Sequence, residues 1–121
     1  MVRRALLLLA LAGCLHQDHD DRICEDSFLT VTVAVHDANG APIEGLAHHT
    51  VRVADNVDIT PSGFGFPDFK TYAVLDDTNL DDLDPDGSEL AITIGGASFS
   101  AVGIGGGCHV VYDGPHELAL P

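Results

Sequence analysis

The feature that constrains this chain most is the period of its apolar residues. From Phe28 onward, Leu29, Val31, Val33 and Val35 alternate with Thr30, Thr32, Ala34 and His36, and alternating side chains point to opposite faces of a β-strand. A strand with one apolar face needs a second layer to cover it. The same period returns at Val51 and Val53, at Leu90, Ile92 and Ile94, and at Leu118 and Leu120, while Tyr72 to Leu75 and Val110 to Tyr112 are short apolar runs. Between these runs lie Asp37-Ala38-Asn39-Gly40, Thr60-Pro61-Ser62-Gly63, Asp84-Pro85-Asp86-Gly87, Gly105-Gly106-Gly107 and Asp113-Gly114-Pro115, all residues that favour turns. No stretch sustains a helical period with caps, so helix is expected only as a turn around Asp77 to Leu83. The pattern predicts an all-β fold, a sandwich or barrel, over residues 27–121.

At 121 residues the chain has room for one small domain after any leader. Five Lys and Arg against nineteen Asp and Glu leave a formal charge of -14. Nucleic-acid binding requires clustered cations to displace counterions from phosphates, so that class of function is excluded. Any anionic surface repels the chain for the same reason.

The first residues read MVRRALLLLALAGC: two arginines, an apolar run from Ala5 to Ala12, then small residues, the order of an export signal. The run is much shorter than the about 20 residues of a membrane-spanning helix. Leu11-Ala12-Gly13-Cys14 resembles the bacterial lipobox, at which the lipoprotein signal peptidase cuts before a lipid-modified cysteine. The resemblance implies that residues 1–13 form a cleaved signal helix and that Cys14 carries the lipid. Two or more acyl chains then anchor the protein stably. Leu15 follows the cysteine where enteric-type sorting rules place Asp for inner-membrane retention, which favours the outer membrane, with the domain in the periplasm or at the cell surface. Residues 14–26, rich in Asp and His, form an acidic tether with too little apolar surface to fold.

Export places the thiols in a compartment where disulfides persist. If Cys14 is lipidated, Cys24 and Cys108 remain as a pair, closing a loop worth about 4–5 kcal/mol in the chain-entropy model. The alternative leaves one of them a free or metal-binding thiol.

The segment Val31-Thr32-Val33-Ala34-Val35-His36-Asp37-Ala38-Asn39-Gly40-Ala41-Pro42-Ile43-Glu44-Gly45 is similar to the opening of carboxypeptidase-regulatory-like and other transthyretin-like domains. There an alternating strand runs into D-x-x-G-x-P-I/V-x-G. This resemblance implies an immunoglobulin-like or transthyretin-like sandwich of about seven strands, used as a non-catalytic accessory or adhesion-type module.

Candidate sites are few. Asp82, Asp84 and Asp86 with Gly87 reproduce the first half of a calcium loop within the acidic stretch 76–89. The position of the closing Glu is Thr93, so a solvated acidic turn competes with a weak calcium site. Phe64, Phe66 and Phe69, in a Gly/Pro-rich segment, either plug the sandwich or form a partner-binding patch. His16, Asp18, His19, Asp20 and Asp21 supply imidazole and carboxylate beside the anchor, but a mobile tether loses entropy on chelating a metal. His48 and His49 are adjacent, so a strand points them to opposite faces. No zinc-protease spacing, nucleophile elbow or phosphate loop is present; Gly103 to Gly107 reads as a hairpin loop. A hydrolase built on His36 near Asp113 is the remotest reading. The expected function is that of a membrane-anchored envelope lipoprotein, a non-catalytic binding or structural module without a cofactor, whose partner is an envelope protein or glycan. The alternative is a calcium- or metal-dependent binding module.

Overall fold

β1 (Thr30–His36) keeps its sequence period: Val31, Val33 and Val35 are buried and their neighbours are partly exposed. In the computed structural model, which describes residues 27–62 and 70–121, β1 is the middle strand of a three-stranded sheet ordered β4-β1-β8. β4 (Thr71–Asp76) runs antiparallel to it, and β8 (Glu117–Ala119) runs parallel. A five-stranded sheet forms the other layer, ordered β3-β2-β5-β6-β7 and antiparallel throughout. Its strands are β2 (His48–Arg52), β3 (Val57–Asp58), β5 (Ser88–Ile94), β6 (Ala97–Ile104) and β7 (Val111–Asp113). The fold is therefore the expected all-β sandwich, with eight strands among the described residues where about seven were expected. A 3-10 helix at Asp77–Asp82 occupies the expected turn. The signal segment 1–13, the tether 14–26 with Cys14 and Cys24, and Phe64, Phe66 and Phe69 lie outside the described residues.

The core is one cluster between the sheets. Val33 and Val35 from β1 and Val74 and Leu75 from β4 face Leu90, Ile92 and Ile94 from β5, all fully buried. Removing such side chains from water, at about 25 cal/mol per Å² of apolar surface, supplies the main driving force.

Three local expectations change. Leu29, expected inward with Val31, is exposed: it precedes β1, its amide and carbonyl are bonded to Asp77, and the ladder shifts register between Val31 and Thr32. In β2 the buried residue is Thr50, not Val51, and Val53, just past the end of the strand, is exposed. The Thr50 hydroxyl donates to the Val74 carbonyl at 2.7 Å, and the Thr50 amide donates to Thr60 Oγ1 at 2.8 Å, so a polar residue the size of valine is satisfied in the core. The expected hairpin loop from Gly103 to Gly107 is shorter, because Gly103 and Ile104 belong to β6. A Cβ on Gly103 would lie 3.0–3.1 Å from Leu75, Leu83 and Leu90, so three leucines fill the place of its side chain.

The two ends of the sandwich differ. One, the helix end, gathers the start of β1, the 3-10 helix, residues 83–87 and the β6–β7 loop: Arg52 Nη1 donates to the Asp82 carbonyl, and the Gly105 amide to the Asp84 carbonyl. The other, the glycine end, holds the Asp37–Gly40 turn, the β1–β2 connection and the Gly95-Gly96 turn of the β5–β6 hairpin.

Candidate functional site

Chemistry-bearing side chains concentrate at the helix end. Asp76, nearly fully buried, caps the 3-10 helix: its carboxylate accepts from the Thr78 amide at 2.9 Å and from the Thr78 hydroxyl, while Asn79 Oδ1 accepts from the Asp76 amide at 2.9 Å. This reciprocal arrangement satisfies two otherwise orphaned donors. Asn79 Nδ2 extends the network to the Ile59 carbonyl at 2.8 Å and to Asp82 Oδ2 at 3.1 Å.

Asp77 joins three segments. Its Oδ2 accepts from the Leu29 amide at 2.9 Å and contacts His109 Nδ1 at 2.6 Å, and its Oδ1 accepts from the Val110 amide at 3.0 Å. Burial acts to raise the pKa of this carboxyl, but the bonds from Leu29, His109 and Val110 outweigh it and hold the value below the ordinary carboxylate range. Next to His109, Cys108 is disulfide-bonded. The Asp77–His109 contact has the outline of a general-base pair, yet every bond around it ties backbone segments together, which is a structural use.

The acidic stretch does not converge. Among the described residues no group of three or more His, Cys, Asp or Glu side chains is placed to hold a metal, so Asp82, Asp84 and Asp86 are not brought together as a ligand set. Asp82 turns to Asn79. The Asp84 backbone closes the Asp84–Gly87 turn and accepts from Gly105, and Asp84 and Asp86 are exposed. His48 and His49 part as the strand requires: His48 meets the Tyr72 ring edge-on, and His49 Nδ1 is 3.3 Å from Asp58 Oδ2. His36 lies 4.0 Å from Glu117 across the parallel β1–β8 pair, whereas Asp113 is in the other sheet, so the two are not brought together.

The outer face of the five-stranded sheet carries a shallow, open depression of about 380 Å³ lined by Glu89, Ser100, Ala101, Val102 and Asp113. Strand register creates it: Glu89 lies opposite Val102, and Val102 opposite Asp113. Two carboxylates thus flank an apolar floor, and among the described residues neither has an ion-pair partner. Tyr112, on the other side of β7, is pushed up to about 12 by burial and then by the Asp113 charge, and its hydroxyl donates to the Pro115 carbonyl at 2.7 Å. Sequence reasoning did not single out Glu89 with Asp113, or Asp77 with His109, because each pair is distant along the chain and met only through strand register or loop closure.

No protein-family model, no curated protein and no solved structure matches this chain.

Proposed function

We propose that this protein is an exported lipoprotein of the bacterial cell envelope, anchored through Cys14, whose β-sandwich acts as a non-catalytic binding or structural module. The observation that carries the reading is the disulfide at Cys108, since disulfides persist in oxidising compartments outside the cytosol. The lipobox-like Leu11-Ala12-Gly13-Cys14 supplies the route there. A second support is the use of the polar side chains at the helix end. Asp76, Asp77, Asn79 and His109 are spent on capping and clamping, the work of a rigid scaffold.

Labelling of cells with an alkyne-bearing fatty acid tests the anchor. The wild-type chain should take up label and sediment with membranes, and Cys14→Ala should lose both. Equal labelling of the two, or recovery of the wild type with Met1 from the soluble fraction, would refute the reading.

A further inference from the structure

Among the described residues, no layer covers the outward side of β5, β6 and β7. Val102 (36% exposed) and Val111 (54% exposed) lie on it, with Ile104 opposite Val111 and Glu89 and Asp113 on either side of Val102. Apolar side chains rimmed by uncompensated carboxylates mark a surface that meets a partner. The sign of the rim selects that partner. Asp81, Asp84 and Asp86, at the same end of the sandwich, are exposed as well, so phosphate-bearing surfaces are repelled and cations are drawn in.

We propose that this face docks a basic segment of another protein, with a Lys or Arg side chain lying over Val102 between Glu89 and Asp113. Glu89 and Asp113 stand two strand spacings apart, about 10 Å between backbones, which suits an elongated side chain better than a bare ion. An apolar stem covers Val102 while its cationic head reaches a carboxylate, and a guanidinium gains a paired hydrogen bond in addition. Ile104 and Val111, paired in the next row toward the helix end, accept an apolar residue beside the cation. This inference deepens the reading of the domain as a binding module. It is independent of lipidation, so its test and the labelling of Cys14 fail separately.

The test is a titration of the full chain with the peptide acetyl-Lys-Val-Lys-Val-Lys-amide and its glutamate counterpart, followed by methyl NMR. Saturable shifts confined to Val102, Ile104 and Val111 are expected with the lysine peptide and none with the glutamate peptide. The double variant Glu89→Gln/Asp113→Asn should bind at least tenfold more weakly, with its thermal midpoint unchanged; if it fails to fold, each single variant should show part of the loss. Affinity unchanged in these variants, or equal shifts at Ala38 and Ala47 of the glycine end, would overturn the proposal. So would perturbation of the face by phosphatidylglycerol vesicles but not by the peptide, which would assign it to a membrane.

Discussion

The two ends of the sandwich are closed by different physics. At the glycine end the chain reverses through backbone geometry: Gly40 adopts φ 85°, the Gly40 amide donates to the Asp37 carbonyl, and Asp37 Oδ1 accepts from the Asn39 and Ala41 amides. Each of these turn bonds joins residues a few positions apart, so little loop entropy is lost in forming the turn. At the helix end Asp77 bonds to Leu29, His109 and Val110, and Cys108 is covalently bridged. Those contacts are long-range and directional. Side chains join distant segments at both ends, but by different means: at the glycine end the neutral Tyr72 hydroxyl donates to the Ile43 carbonyl at 2.7 Å and accepts from the Leu46 amide at 3.2 Å, whereas the helix end relies on a charged acceptor and a covalent bridge.

The comparison can be broken by mutation. The largest effect is expected for Cys108→Ser, which should cost about 2–5 kcal/mol in urea unfolding. A loss no larger than that of a surface substitution would show that the bridge contributes little to the helix end. Next, Asp77→Ala removes a charged acceptor from three donors and should cost about 2–3 kcal/mol. The same residue gives a pH signature. Because its folded pKa is depressed, its stabilisation is complete above the unfolded value of about 3.9 and disappears as pH falls through the lower folded value. Thermal midpoints measured from pH 5 to pH 2 should therefore fall more steeply for the wild type than for Asp77→Asn. The smallest effect is expected for Gly40→Ala, where an added Cβ meets no atom within 4 Å but the positive φ persists; about 1 kcal/mol is expected from backbone strain alone. If Gly40→Ala proves costlier than Asp77→Ala, the contrast between local and long-range closure is reversed.

Much of the fold was legible along the chain. β1 and β5 bury the residues their alternation names, and the Asp37–Gly40 segment makes the turn its side chains favour. β6 was missed although it is the longest of the described strands, because Ser98, Ser100, Ala101 and Gly103 carry little hydrophobic contrast and its period is set by what the neighbouring leucines leave free. Thr50 was missed for a related reason. Its inward orientation depends on the Val74 carbonyl and Thr60 hydroxyl, which belong to other segments. Of the candidate site residues, Asp82, Asp84 and Asp86 were visible as a motif fragment but do not converge. Glu89 and Asp113 became neighbours only through β6.

What the amino-acid sequence determined by itself is local: strand period, turn chemistry and net charge follow from the sterics and polarity of residues a few positions apart. The tertiary structure decided the parallel return of β8 beside β1, the closure of three segments around Asp77 and the pairing of two carboxylates across Val102. Those depend on which surfaces bury each other and which buried donors must find an acceptor, conditions that arise only once the sheets are packed.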